Sequence, residues 1–303
     1  MLLILFSCSN DETQISEPVV DDLYFPAIDS DQWETITPEE LNWDSIGIGN
    51  LYDFLELNNT RAFIVLKNGK IVLENYWGNN IQNTAPFDKN SNWYWASAGK
   101  TLTAFLVGIA QDNGLLSIED SSSIFLGNGW TSLEESQESL IKIKHHLTMT
   151  TGLDYLVDNL NCTTPNCLTY KNTPGTNWFY HNATYTLLKD VIENSSETTY
   201  NDFTNQKVKM KIGMGGSWIQ SNYNNIYWST ALDMARFGLL ILNEGVWDNQ
   251  VILSDTNYFS NMVNTSQQIN ESYGYLWWLN GKDSLIPPGI TFPIQTSLAS
   301  NAP

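Results

Sequence analysis

Positive charge is scarce in this chain: 14 Lys and Arg stand against 33 Asp and Glu in 303 residues, a formal net charge of −19 at pH 7. That balance disfavours nucleic acid and anionic surfaces as partners and favours solubility. Histidine and cysteine are also few, three of each. His145, His146 and His181 fall into no His-Glu-x-x-His arrangement, and no second Cys pair accompanies Cys162 and Cys167, so neither a metal nor another cofactor is expected. The nucleophile elbow Gly-x-Ser-x-Gly is missing, and Gly213-Met214-Gly215-Gly216-Ser217 reads as a tight turn. No glycine loop of the phosphate-cradling kind occurs. No run approaches the ~20 apolar residues of a transmembrane helix.

What is present is a chain with 42% hydrophobic and 13% aromatic residues, enough for one large core. Phe63 to Leu66 and Lys70 to Tyr76 are strand-like runs around Asn68-Gly69, a hairpin signal. Helical patterns dominate from Ala98 to Leu242, and strand signals return from Tyr273 to Leu279. Strands towards both ends with helices between them predict an α+β fold, an antiparallel sheet flanked by helices with a helical subdomain.

Ser97-Ala98-Gly99-Lys100 is the most chemically suggestive segment. As a bare pattern Ser-x-x-Lys is expected roughly once by chance in a chain of this length, and a second match, Ser139 to Lys142, lies in a charged stretch that reads as solvated. Ser97 differs because Trp93, Tyr94 and Trp95 precede it and Leu102, Phe105, Leu106, Ile109 and Ala110 follow at helical spacing, which places it at a helix N-terminus. Residues three apart share a helix face, so the Lys100 amine can approach the Ser97 hydroxyl. For the amine to accept a proton near neutrality its pKa must fall from about 10.4 towards 7, roughly 4 kcal/mol of bias. Burial and the positive end of the helix dipole both push that way, and the aromatic cluster ahead of Ser97 could exclude water. Alone, the same residues also fit a helix N-cap and a surface lysine.

Tyr180-His181-Asn182 follows a Pro174-Gly175 turn and opens a helical run through Tyr185, Leu187, Leu188, Val191 and Ile192. A phenol can relay a proton and a carboxamide can orient a lysine or bind a substrate carbonyl, although a loop tyrosine and an Asn N-cap fit equally. His181 could also serve a His-dependent serine triad.

Taken together, Ser97-x-x-Lys100 and Tyr180-x-Asn182 resemble the serine β-lactamase and penicillin-binding-protein superfamily, in its class C-like, esterase-like branch. Ile143 to Leu153, Asp233 to Leu242 and Tyr273 to Trp278 resemble further landmarks of that family, so the likeness covers about residues 45 to 285. Within it the chain is most similar to aminohexanoate-dimer hydrolases and related carboxylesterases. The resemblance implies that Ser97 is acylated, that Lys100 and Tyr180 move protons, that Asn182 positions them or the substrate, and that the Ser97 backbone amide is one oxyanion donor. The implied partner is a small ester or amide. A non-catalytic envelope binding or sensor homologue of penicillin-binding proteins is the alternative.

The family's third motif, Lys-Thr-Gly or His-x-Gly on a strand after Trp277-Trp278, has no counterpart here beyond the turn-like Gly281-Lys282-Asp283. The expectation is therefore a sequence truncated at its C-terminus, with the last strands missing. At the other end Leu5-Phe6-Ser7-Cys8 looks like a bacterial lipobox with Cys8 as the lipidated residue, which implies an envelope lipoprotein, periplasmic or on the outer membrane, touching the membrane only through its lipid. The expected organisation is a signal remnant over 1–8, an acidic flexible linker over 9–40 and the hydrolase domain over 41–303. Cys162 and Cys167 flank a Thr-Thr-Pro-Asn turn and could close a small disulfide loop in an oxidising compartment, or stand as two thiols.

Overall fold

The computed structural model describes residues 23–296. Cys8 and the signal remnant lie outside them. After α1 (Ser45–Leu57), β1 (Ala62–Lys67) and β2 (Lys70–Tyr76) form an antiparallel hairpin, and β3 (Trp93–Tyr94) leads into α2 (Gly99–Asp112). The short helices α3 (Ser123–Leu126), α4 (Glu135–Glu138) and α5 (Ile143–Leu147) precede the long α6 (Asn182–Ser196). Next come α7 (Tyr200–Thr204), α8 (Met210–Ile212), β4 (Ser217–Ser221), β5 (Asn224–Ser229) and α9 (Ala231–Leu242), then α10 (Thr256–Met262) and two-residue ladders near the end. All named strand pairs are antiparallel, in keeping with the α+β expectation.

The hairpin turns where the sequence predicts it, with Asn68 at φ 49° and Gly69 at φ 80°. Gly69 is required twice, because a Cβ there would also sit 1.8 Å from the Tyr24 carbonyl oxygen. In the middle of the chain the structure departs from the helical expectation: β4 and β5 form a second hairpin and join β3 in a three-stranded sheet of order β3-β5-β4. The strand expected over Tyr273 to Leu279 does not form. That aromatic-rich run instead makes a turn closed by a single Tyr273–Trp278 bridge, with Leu276 at φ 60° donating its N–H to the Leu147 carbonyl.

Residues 23 to 40, assigned to a linker on composition, are packed onto the domain in the structure. Leu23, Phe25 and Trp33 contact the core, Tyr24 N–H donates to the Asn68 carbonyl, and Thr35 bridges Ile71. Arg236, buried on α9, donates to the carbonyls of Pro26, Ala27 and Ser30 as well as Ile212. A guanidinium can satisfy several carbonyls at once, and it fastens a segment that has no hydrophobic periodicity of its own.

The core is built around α2. Leu102, Phe105, Leu106 and Ile109 are at most 1% exposed, each contributing roughly 1.5–3 kcal/mol of burial. α2 packs beside α6, and that pairing brings the two sequence motifs together. Among the described residues no helix is long and apolar enough to cross a membrane.

Candidate active site

Trp95 anchors the approach to Ser97. Its N–H donates to the Tyr227 carbonyl at 2.8 Å, its indole N–H donates to Ser229 Oγ at 2.8 Å, and its ring is buried against Tyr227 and Phe237. The next residue, Ala96, has φ 46°. A left-handed alanine stores on the order of 1 kcal/mol of strain, and the bend it makes turns the chain from β3 into a 3-10 turn, Ala96–Ala98, that runs on into α2. Ser97 is left exposed on the outside of that bend, while Lys100, one helical turn on, is 3% exposed.

The Lys100 ammonium donates to Ser97 Oγ at 3.3 Å. Burial pushes the Lys100 pKa down to about 7. The water is excluded by rings that the sequence placed elsewhere: Lys100 Nζ lies 4.1 Å from the centre of the Tyr185 ring and 4.9 Å from that of Tyr180, both carried by or adjoining α6. Trp93 and Tyr94 lie outside this pocket, stacked on each other at 5.4 Å, with Tyr94 41% exposed. Tyr185 was legible only as one apolar position of a helix, and it is fixed by its hydroxyl donating to the Asn225 carbonyl at 3.2 Å.

Tyr180 stands beside the pair, its ring centre 4.9 Å from Lys100 Nζ and Ser97 close enough to influence its hydroxyl. Burial raises its pKa above the ordinary phenol value, and the contact with Ser97 offsets part of that rise. Phe179 N–H donates to the Met149 carbonyl at 3.0 Å, which holds the strand-like approach to α6. The Tyr180 ring stacks on Trp278 at 5.9 Å and meets Tyr273 edge-on at 6.3 Å, so the turn that replaces the expected strand forms an aromatic wall of the site. Asn182 begins α6, and His181 rather than Asn182 is the capping position. The Asn182 carboxamide donates from Nδ2 to Asn161 Oδ1 at 2.9 Å, a partner that no sequence pattern signals.

The other candidates are dispersed. Ser139 Oγ donates to the Ser136 carbonyl while Lys142 pairs with Glu119 at 2.8 Å, so the second Ser-x-x-Lys match forms no pair. Its neighbour Glu138 is buried, not solvated: it accepts from the Gly129 and Thr131 backbone amides and from the Thr131 hydroxyl. Burial pushes the pKa of all three histidines down to about 4. His181 Nε2 faces the Asp154 carbonyl at 3.4 Å, away from any serine triad. His146 does meet a serine, with Nδ1–H on the Thr184 carbonyl and Nε2 accepting from Ser122 Oγ at 2.9 Å, but both residues are fully buried and serve to tie α3, α5 and α6 together. Gly281 and Lys282 enter a two-residue ladder, Ser284–Leu285 with Ile294–Gln295. Cys162 and Cys167 are joined by a disulfide. Among the described residues no group of His, Cys, Asp and Glu could hold a metal ion.

Known proteins share this fold. A protein from Bacillus anthracis assigned as a 6-aminohexanoate-dimer hydrolase superposes with a TM-score of 0.62 at 18% identity, over 75% of this chain and 67% of the other. A Bacteroides dorei protein assigned as a beta-lactamase gives 0.64 at 19%, over 78% and 79%. The penicillin-binding protein of Bacillus halodurans gives 0.60 at 17%, over 75% and 83%. At these identities the likeness is one of fold. No curated protein matches the chain in sequence. The beta-lactamase family model, however, matches residues 60–293, a span that contains Ser97, Lys100 and Tyr180, and the chain belongs to the beta-lactamase family.

Proposed function

We propose that the protein is a serine hydrolase that cleaves a small ester or amide through an acyl-enzyme on Ser97. The observation that carries this reading is the pairing of an exposed serine hydroxyl with a buried lysine at 3.3 Å whose pKa lies near 7. At neutral pH an appreciable fraction of Lys100 is the free amine, which takes the Ser97 proton as the hydroxyl attacks the carbonyl carbon. Tyr180, with its pKa raised, stays a neutral phenol, so it serves as the donor to the leaving group and not as the base. The Ser97 backbone amide, at the start of the turn that continues into α2, is the donor we assign to the developing oxyanion. Water then attacks the acyl-enzyme by the same proton relay in reverse, releasing the acid and restoring Ser97.

Asn182 is read as the residue that positions the substrate. Trp278 stacks on Tyr180 and also lines a neighbouring groove of about 530 Å³ of mixed character, with Phe259 and Trp277 beside Glu244 and Lys282. The disulfide fits an oxidising compartment and therefore an envelope location, with Cys8 as the proposed lipid anchor. Hydrolysis of p-nitrophenyl esters tests the reading. Ser97→Ala should abolish turnover and Ser139→Ala should leave it unchanged, whereas retained turnover in Ser97→Ala would rule the mechanism out.

A further inference from the structure

Asn182 is held from one side. Its Nδ2 donates to Asn161, and its Oδ1 is buried with no partner among the described residues. Asn161 sits in an irregular turn ahead of the 3-10 turn Pro165–Cys167, and three features fix it beside α6. The N–H groups of Asn161 and Cys162 turn back to the side chain and the carbonyl of Asn159, at 3.0 and 3.1 Å. Ala183 N–H, in the first turn of α6, donates to the Leu160 carbonyl at 2.8 Å. The residue after Asn161 is Cys162, itself 3% exposed, and its disulfide to Cys167 tethers that end of Asn161 to the Pro165–Cys167 turn.

We infer that Asn161 is a positioning residue for Asn182 and that the Cys162–Cys167 bridge holds it in register, so that substrate affinity depends on the oxidised disulfide. The inference rests on the reading of Asn182 as a substrate-positioning group. A carboxamide donates at one end and accepts at the other, and its orientation is set by its partners. Asn161 Oδ1 can only accept, so it fixes Nδ2 towards the loop and leaves Oδ1 as an acceptor for a donor that arrives with the substrate. Removing that contact frees the carboxamide to rotate, and reducing the bridge releases Cys162, the residue next to Asn161, from its covalent tether. A phosphine reductant accomplishes the second change. Phosphorus supplies two electrons and water two protons, the S–S bond becomes two thiols, and the water oxygen leaves as phosphine oxide.

The experiment measures kcat and KM for the p-nitrophenyl ester of an N-acyl amino acid, whose amide N–H supplies the donor, with fluorophosphonate labelling of Ser97 and circular dichroism on the same samples. It compares wild type, Asn161→Ala and Asn161→Asp, each before and after phosphine treatment. Asn161→Ala should raise KM roughly threefold to tenfold, the effect of one lost hydrogen bond, with kcat within about twofold. Asn161→Asp keeps the acceptor and should restore most of the affinity. Reduction of folded wild type should raise KM by a similar factor and add nothing in Asn161→Ala, because both changes act on one contact. Two results overturn the inference while Ser97 still labels: a KM that neither change moves, or effects that multiply as if independent. Wild type in which Ser97 does not label overturns the hydrolase reading itself, and the inference with it.

Discussion

Replacing Lys100 by Met should stabilise the protein at acid and neutral pH and have little effect near pH 10. The Lys100 pKa is about 7 in the folded chain because the amine is buried, against about 10.4 in an unfolded chain. Below pH 7 both states carry the charge and the folded state bears the whole burial penalty. Between pH 7 and about 10.4 the unfolded state binds the extra proton, so stability rises with pH, and above that window the penalty is gone. The shift corresponds to about 5 kcal/mol at 1.36 kcal/mol per unit. Methionine of similar length, which carries no charge to bury, should therefore gain up to about 5 kcal/mol at pH 6. Urea unfolding of both proteins at pH 6, 8 and 10 measures the difference, which should shrink steadily towards pH 10. A variant no more stable than wild type at pH 6, or a difference that does not change with pH, would refute the claim that burial depresses this lysine.

Two further changes probe the site and the core beneath it. Tyr180→Phe keeps the stack on Trp278 but removes the hydroxyl, and steady-state kinetics should show kcat lower by about 10²–10⁴ with an unchanged melting temperature. Gly108→Ala gains helix propensity, yet its Cβ would stand 2.4 Å from the buried Tyr258 ring, whose hydroxyl donates to the Ala104 carbonyl. The clash should dominate, with a loss of about 1–3 kcal/mol in urea unfolding.

The parts of this molecule that the sequence made legible are local. Ser97 and Lys100 meet because one helical turn separates them, and Asn68-Gly69 turns because only left-handed residues close a two-residue hairpin. Contacts between distant segments carried no such signal. Tyr185 shields Lys100 only because α6 lies beside α2, and Asn161 meets Asn182 across a loop of irregular backbone. Composition misled for residues 23 to 40, where a few anchors such as Phe25 and Trp33, with carbonyls fixed by Arg236, outweigh an acidic and aperiodic background. Periodicity misled over Tyr273 to Leu279. Residues 272 to 276 are buried in succession instead of alternately, a Cβ at Gly274 would lie 2.1 Å from the Met262 carbonyl oxygen and Leu276 is left-handed, so a turn packs where a strand was expected.

The central claim is that Ser97 is a nucleophile whose base is a lysine of pKa near 7. It is tested most directly by the rate of fluorophosphonate attachment as a function of pH, with the modified peptide identified by mass. The account predicts an adduct on Ser97 whose rate of formation rises with pH through a midpoint near 7 and then levels off, and no adduct in Ser97→Ala. An adduct on another serine, or a rate that keeps rising to pH 10 as for an ordinary lysine, would contradict it.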